Sequence, residues 1–263
     1  MATPIGNLKD ITLRALEILR EADVVFCEDT RHTLKLLNAY DIKKPLFACH
    51  KFNESAAAQK IIERARAGES VAVVSDAGMP VISDPGNILC KALKEAEVPY
   101  TIAPGATAFA CALILSGMDT SKFTFLGFLP NKKSEKIRFL ERYKTLDTTM
   151  AFHSAPQDVD ADVAAMAEVF GDRKACAVRE ITKIHEESVP FTLAEGLAGE
   201  KRGEYVLVVE GALPAENPLN ELGEAEHIRY YLAQGMDKKE ALKRAAKDRG
   251  VSKSSLYKFM LED

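Results

Sequence analysis

Short apolar runs alternate with segments of helical periodicity along most of this 263-residue chain, and that alternation limits its fold more than any other feature. Such runs are typical of buried strands, and the segments between them have the 3.6-residue period of helices. The pattern predicts an α/β fold with a mainly parallel sheet covered by helices. The predicted strands are residues 24–27, 71–75, 99–103, 123–127, 149–153, 175–179 and 205–210. The predicted helices are residues 13–22, 56–67, 87–96, 106–115, 133–143 and 159–170.

The chain is longer than a usual single domain, and turn-forming segments divide it. We expect an N-terminal α/β domain at 1–117, a second α/β domain at 118–213 and an acidic linker at 214–224. The remaining segment, 225–263, predicts three short helices with a basic exposed face. That pattern is typical of a helix-turn-helix, and the alternative is a polar helical tail.

The segment 75–86, SDAGMPVISDPG, follows one predicted strand and precedes a predicted helix. Its prolines restrict the backbone, whereas Gly78 permits a positive φ and the close approach of a ligand. Open α/β sheets bind small molecules at the carboxyl ends of their strands. The segment is therefore either a binding loop, with Asp76 and Asp84 as acceptors, or an ordinary tight turn.

Common catalytic signatures are missing from the sequence. It contains no Gly-x-Gly-x-x-Gly, P-loop, Gly-x-Ser-x-Gly or His-Glu-x-x-His motif, which disfavours the corresponding enzyme classes. Loops of small residues remain at predicted strand ends, at 2–8, 75–86, 104–108 and 127–130, and leave room for a bulky ligand. The ionisable run 179–187, REITKIHEE, also follows a strand and is suited to a site, although such runs are more often solvated surface.

Charge is unevenly distributed along the chain. The formal net charge of -4 argues against nucleic-acid binding by the molecule as a whole. However, residues 130–144 hold six basic and two acidic residues, and residues 235–258 hold eight and three. Concentrated basic charge of this kind is what contact with phosphates requires, and the alternative is solvated helix faces.

Cysteine usage and hydropathy exclude several classes of protein. The five cysteines are widely spaced, odd in number and without zinc-ligand spacing, so the sequence predicts neither a disulfide framework nor a metal site. The sequence shows no long apolar run and no signal peptide. We therefore expect a soluble cytoplasmic protein that does not enter a membrane.

Five segments of this chain together resemble the tetrapyrrole methylase family. They are ATPIGNL at 2–8, CEDTR at 27–31, the segment 75–86, GFLP at 127–130 and the run 179–187. The resemblance covers nearly the whole chain and points to the members that methylate ribosomal RNA. It implies a two-domain, class III methyltransferase architecture with a small C-terminal helical appendage, and S-adenosylmethionine as cofactor. It further implies 2'-O-methylation of a cytidine ribose in 16S ribosomal RNA of the small subunit, by a homodimer.

Site residues follow from the family motifs and from clustering. The cofactor residues that the resemblance implies are Pro4, Gly6, Asp76, Ala77, Gly78, Pro80, Ser83, Thr107, Ala108, Phe128 and Leu129. The clustered Glu180, Lys183 and Glu186 are the catalytic candidates. The basic runs supply the RNA-binding candidates Lys132, Lys133, Arg138, Lys238, Lys239, Lys243, Arg244 and Lys253.

The start of the sequence departs from the family pattern. Family members usually carry a short apolar strand before ATPIGNL, whereas here that segment follows Met1 directly. We therefore expect the first domain to lack one strand and to expose the edges of its neighbours. The sequence leaves open whether the start lies too late or the domain is impaired.

Three functions from different classes remain. The first is a ribosomal RNA methyltransferase, which the basic segments favour. The second is a methyltransferase of a tetrapyrrole or another small molecule, which has no need of those segments. The third is a non-enzymatic DNA-binding regulator built on the terminal helices, which leaves the small-residue loops unexplained.

Overall fold

A computed structural model of the protein describes residues 1–84, 86–213 and 218–260. The chain forms two compact units, Met1–Gly211 and Ala212–Asp263. The first unit contains two β-sheets with their helices, and the described part of the second is helical. The predicted α/β fold with C-terminal helices is confirmed. The domain division near residue 117 stays a prediction, and part of the predicted linker, 214–217, lies outside the described residues.

The first sheet has three parallel strands in the order β2-β1-β3. They are β1 (Val24–Cys27), β2 (Leu46–Ala48) and β3 (Val71–Val74). All of β1 is apolar and buried, as expected for the central strand of a covered parallel sheet. Helices α1 (Leu13–Glu21), α2 (Thr30–Ala39), α3 (Glu54–Arg66) and α4 (Asn87–Glu95) accompany it. The side chains of Thr12 and Asp29 cap the first turns of α1 and α2.

The second sheet has five strands in the order β4-β5-β8-β6-β7. They are β4 (Phe123–Phe128), β5 (Thr149–Ser154), β6 (Lys174–Arg179), β7 (Glu187–Thr192) and β8 (Tyr205–Val209). Strand β4 runs parallel to β5, whereas the other neighbouring pairs are antiparallel. Helices α5 (Ala108–Ser116), α6 (Lys133–Glu141) and α7 (Val159–Phe170) belong to this half of the unit. A core cluster that includes Met150, Phe152, Met166 and Leu207 packs α7 against the sheet.

Several predicted elements were wrong. The second sheet is mixed, because only seven residues separate β6 from β7, and a parallel connection needs about a dozen or more. The sequence missed α2, β2 and β7. Strand β2 is only three residues long and is not fully buried, and β7 is an edge strand that contains Pro190, a residue that disfavours a strand prediction. Residues 99–103 form no strand; the carbonyl of Ala103 only accepts a hydrogen bond from the Ala2 nitrogen, at 3.0 Å.

Residues 1–3 lie beside β3 and are buried. The Met1 nitrogen donates to the Val73 carbonyl at 2.7 Å, and Thr3 forms an antiparallel bridge with Gly78. These contacts tie the segment 2–8 to the loop that follows β3. The expected lack of a family strand before this segment, with exposed edges of its neighbours, stays a prediction.

The second unit contains α8 (Glu224–Ala233), α9 (Lys238–Asp248) and α10 (Lys253–Tyr257). Its core includes Ile228, Leu242, Ala245 and Leu256. The turn from α9 to α10 contains Gly250 at φ 65°, a conformation that suits glycine, and Ser252 caps α10, as the sequence predicts. None of the helices in the described ranges is both long enough and apolar enough to span a membrane.

Candidate functional site

A cavity of about 510 Å³, here called the large cavity, lies against one end of the second sheet. At this end β4 and β5 finish at Phe128 and Ser154, and β8 begins at Tyr205. The loop after β3 and the first turn of α5 supply the opposite wall. The volume lies in the range of small-molecule sites, about 300 to 1,000 Å³. The arrangement agrees with the rule that α/β sheets bind ligands at strand ends.

The loop after β3 holds its shape through internal hydrogen bonds and unusual backbone angles. The Ser75 hydroxyl donates to the Gly78 carbonyl at 3.1 Å, and the Thr3 hydroxyl donates to the Ser75 carbonyl at 3.2 Å. Positive φ angles occur at Gly78 (78°), Val81 (76°) and Ser83 (65°). A β-branched residue such as Val81 rarely adopts this conformation, and strain of this kind concentrates at ligand sites. The described part of the loop is therefore an internally hydrogen-bonded and strained wall of the large cavity.

A second cavity of about 350 Å³, here called the small cavity, adjoins the first and shares Ile5, Asp76, Ala77 and Glu204 with it. Its other walls come from the segment 2–8, from α2 and from the turn after β6. They are formed by Thr3, Pro4, Gly6, Leu8, His32, Lys35, Leu36 and Lys183. One site therefore offers two compartments, of which the smaller is lined by nitrogen-bearing side chains.

Lys183 lies between two carboxylates at the small cavity. Its Nζ is 2.8 Å from Glu180 Oε1 and 3.0 Å from Glu204 Oε2. Burial opposes its charge, but the hydrogen bonds to both carboxylates outweigh burial and raise the pKa of Lys183. The hydrogen bond from Lys183 is the main cause that lowers the pKa of Glu180. Both side chains are therefore charged at neutral pH, and Lys183 acts as a cation and hydrogen-bond donor.

The turn after β6 is held against the segment 2–8. Glu180 and Thr182 adopt positive φ angles of 49° and 67°, and the Thr182 nitrogen donates to Glu186 Oε2 at 2.7 Å. A Cβ placed on Gly6 would lie 2.7 Å from Lys183 Cγ, so only glycine fits there without a shift. The close packing fixes the direction of the Lys183 side chain.

Carboxylates collect on the other side of the site. Asp76 Oδ1 accepts a hydrogen bond from the Asp29 nitrogen at 3.1 Å. Burial, with the charges of Glu28 and Asp76 added to it, raises the pKa of Asp84 to about 6. Burial and the charge of Asp76 also raise the pKa of Glu28. Three carboxyl groups in this position repel one another when ionised, and a cationic ligand would relieve that repulsion.

Replacing Asp84 by asparagine should change how stability depends on pH. The pKa of Asp84 rises from its ordinary 3.8 to about 6 on folding, so the folded protein holds this proton more tightly than the unfolded chain. Ionisation of Asp84 therefore lowers the free energy of unfolding as the pH rises from about 4 to above 6. We expect Asp84→Asn to match wild type near pH 4 and to exceed it near pH 7 in urea unfolding. A stability difference that stays constant over this range would contradict the assignment.

The structure brings ten of the fourteen predicted cofactor and catalytic residues to the two cavities. Asp76, Ala77, Gly78, Ser83, Thr107, Ala108 and Phe128 line the large cavity, and Pro4, Gly6 and Lys183 line the small one. Pro80 is a buried residue of the loop itself, and Leu129 lies in the core of the second sheet. Glu180 reaches the site through Lys183, whereas Glu186 is exposed and bonds the Thr182 nitrogen. The catalytic and binding roles of these residues stay predictions.

The basic candidates lie on three helices. Lys132 pairs with Glu135 at 3.2 Å and Lys133 with Glu168 at 3.0 Å, while Arg138 is exposed on α6. One basic residue of the same run, Lys136, is buried and therefore contributes nothing to a surface patch. Lys238, Lys239, Lys243, Arg244 and Lys253 are exposed on α9 and α10. The RNA-binding role of all these side chains stays a prediction.

Sequence reasoning missed several residues at the cavities. His153 and Ser154 are the last residues of β5, and residues 155–157 follow it, so the strand-end rule could have found them. Glu204 and Tyr205 stand at the start of β8. If β8 ran parallel to β5, as the sequence predicted, the start of β8 would lie at the edge of the sheet away from the cavity. His32 and Lys35 lie on α2, which the periodicity did not predict. Burial lowers the pKa of His153, so this imidazole is neutral at neutral pH.

The comparison with known families decides what this site belongs to. The model of the Tetrapyrrole (Corrin/Porphyrin) Methylases matches residues 2–196. The chain belongs to this family. The predicted family, the methyltransferase activity and the S-adenosylmethionine cofactor are thereby confirmed. A non-enzymatic DNA-binding regulator is excluded as a description of the whole chain.

Individual relatives differ in length. The chain is 42% identical over 264 residues to ribosomal RNA small subunit methyltransferase I of Bacillus subtilis, covering 97% of this chain and 90% of the relative. The relative of the same name from Thermotoga maritima is 40% identical over 215 residues, covering 80% of this chain and 96% of its own length. The solved structure of diphthine synthase is similar with a TM-score of 0.62 at 18% identity, covering 80% of this chain and 88% of its own. This similarity supports the fold alone.

Proposed function

We propose that this protein transfers a methyl group from S-adenosylmethionine to the 2'-oxygen of a cytidine ribose in 16S ribosomal RNA of the small subunit. The names of the relatives support an RNA acceptor. The observation that carries the proposal is the pair of adjoining cavities, which share Ile5, Asp76, Ala77 and Glu204. A transfer reaction needs donor and acceptor side by side, and this arrangement provides a compartment for each.

The large cavity suits the cofactor. Its volume of about 510 Å³ and apolar walls such as Met79 and Phe109 fit a nucleoside-sized molecule. Asp76 and Asp84 supply negative charge for a cationic group, and Gly78 permits close approach of the ligand to the backbone. When bound, S-adenosylmethionine supplies an electrophilic methyl group on a positively charged sulfur. The loop after β3, Ser154 at the end of β5 and the following residues 155–157 would hold it and exclude water.

The small cavity suits a nucleotide. His32, Lys35 and Lys183 bring nitrogen donors that can contact phosphate or sugar oxygens, while Pro4 and Leu8 offer apolar surface. Lys183, held as a cation by its two carboxylates, would stabilise the negative charge that develops on the ribose oxygen. Glu204 lines both cavities and is the proton acceptor that we propose. Glu180 would position Lys183 from behind.

The assembly and the location are part of the same proposal. A homodimer is supported by apolar side chains that the first unit leaves exposed, with Ile114 on α5 77% exposed and Phe123 on β4 47% exposed. Action on ribosomal RNA implies a cytoplasmic location. Within the described residues, no group of three His, Cys, Asp or Glu side chains could hold a metal ion. The absence of a metal from the reaction stays a prediction.

The decisive test is methyl transfer from labelled S-adenosylmethionine to isolated small ribosomal subunits. Digestion of the RNA to nucleosides and mass spectrometry should reveal a 2'-O-methylcytidine derivative. Label on a base, or no label despite cofactor binding by calorimetry, would overturn the proposal. A parallel reaction with a tetrapyrrole acceptor covers the second hypothesis, and transfer there but not to RNA would establish a small-molecule methyltransferase. Heat-inactivated protein serves as the control.

A further inference from the structure

Helix α9 of the second unit separates its charged residues from its apolar ones. Ala241, Leu242, Ala245 and Ala246 are buried against α8 and α10. The opposite face exposes Lys239, Lys243 and Lys247, which follow one another at every fourth position. That spacing places them in a row, about 6 Å apart along the helix axis. The row is a linear array of positive charge on a rigid element.

The acidic residues on or beside α9 are Asp237, Glu240 and Asp248. Glu240 is exposed three residues before Lys243, so it lowers the net charge of this surface without forming an ion pair with the row. Asp248 is turned inward, where it accepts a hydrogen bond from Tyr231 and lies 3.5 Å from His227 Nε2. Asp237 is used as the cap of α9. In the described part of the chain, no carboxylate lies within ion-pair distance of Lys239, Lys243 or Lys247.

The basic surface of α6 differs from this row. There Lys132 and Lys133 pair with Glu135 and Glu168. Carboxylates thus neutralise the start of α6, and its buried Lys136 is withdrawn from the surface. The α9 row therefore offers three exposed lysines without an ion-pair partner in the described part of the chain, whereas Lys132 and Lys133 at α6 are paired and Lys136 is buried.

The lengths of relatives bear independently on what this unit does. The Thermotoga maritima relative matches 80% of this chain and 96% of its own length, over 215 residues. The first unit alone spans Met1–Gly211, and the family model ends within it, at residue 196. A relative named for the same activity is thus about as long as the first unit. A relative of that length has no room for full counterparts of both units, which supports a second unit that the chemistry does not require.

We infer that the second unit is an accessory module that raises affinity for RNA, while the first unit alone performs methyl transfer. In this module the sugar-phosphate backbone binds to the row formed by Lys239, Lys243 and Lys247. The inference rests on the proposed function. Tyr257, 51% exposed beside Lys258 on the same unit, offers a ring on which an unpaired base can stack. Contacts of this kind raise affinity without reading sequence, so selection of the target nucleotide stays with the first unit.

The test uses the full chain with Lys239→Gln, Lys243→Gln and Lys247→Gln combined. Glutamine keeps the helix propensity and removes the charge. The matched control carries Lys60→Gln, Lys91→Gln and Lys94→Gln, which remove three exposed charges from α3 and α4. At about 0.15 M salt we expect the KM of the α9 variant for small subunits to rise about tenfold, with kcat and the cofactor Kd unchanged. In a plot of the logarithm of the RNA-binding constant against the logarithm of salt concentration, the slope should become about 2 less steep. The control should behave as wild type.

The possible results separate the partners. An unchanged salt slope and KM, or an equal effect in the control, would overturn the inference. An effect on intact subunits but none on protein-free 16S RNA would mean that the row contacts a ribosomal protein. Loss of kcat with KM unchanged would place the unit in the chemistry itself. RNA binding is measured separately from methylation. If the wild-type protein binds RNA through α9 but methylates no RNA, the proposed function is wrong and the RNA-binding surface is still supported.

Discussion

Replacement of Lys183 by methionine should slow methyl transfer to small subunits by about 100-fold or more while leaving cofactor affinity within about twofold of wild type. Methionine keeps the length of the side chain and removes the cation that both Glu180 and Glu204 hold at the small cavity. Without that cation, Glu180 and Glu204 lose the ion-pair partner that they share, so their charges oppose the negative charge that develops on the ribose oxygen. The large cavity, which Lys183 does not line, should bind the cofactor as before.

Kinetics and calorimetry together test this expectation. The kcat should fall and KM should change little, because the interaction strengthens mainly in the transition state. Lys174→Met is the matched control: Lys174 is exposed at the start of β6, the strand that leads to the Glu180 turn. Lys183→Arg, which keeps the charge, should recover part of the rate. Normal turnover in Lys183→Met, or an equal loss of cofactor affinity, would remove Lys183 from the proposed role.

The sequence predicted the loop after β3 because local rules suffice there. A buried parallel strand ends at a segment rich in glycine and proline, and the chain direction alone decides that this end carries ligands. Gly78 does adopt the positive φ that its residue type suggests. The helices of the second unit were equally accessible, since Gly250, Ser252 and a strong apolar period mark them locally.

The sequence could not predict residues whose place depends on strand direction or on tertiary packing. Glu204 stands at the start of β8 and reaches the site only because β8 runs antiparallel to β5. Periodicity contains no information on that direction. Lys136 belongs to a basic run that suggests solvent exposure, yet it is 3% exposed because Asp162 on α7 provides an internal partner. A contact between residues 26 positions apart leaves no local pattern.

Among the proposed substitutions, those that break the buried pair of Lys136 and Asp162 should lower the free energy of unfolding most. Each side chain is 4% exposed, and Ser154 donates a hydrogen bond to Asp162 Oδ2 at 2.6 Å. Removing one member of a buried pair leaves the other charge without a partner in a medium that solvates it poorly. Asp162→Ala should therefore lower the free energy of unfolding by about 3 to 5 kcal/mol in urea unfolding followed by circular dichroism.

The same two helices carry a matched control. Lys133 on α6 and Glu168 on α7 pair at 3.0 Å with side chains 78% and 52% exposed, so Glu168→Ala should change the unfolding free energy by less than about 1 kcal/mol. Replacing both buried partners by apolar residues, Lys136→Met with Asp162→Leu, should restore most of the loss, because no charge then stays buried alone. Ser154 also lines the large cavity, and the double variant removes the carboxylate to which Ser154 donates. The double variant should therefore regain stability but bind the cofactor more weakly than wild type. Equal losses of unfolding free energy in Asp162→Ala and Glu168→Ala would show that burial of the pair is irrelevant to stability. Full cofactor affinity in the double variant would show that Asp162 does not influence cofactor binding at the large cavity.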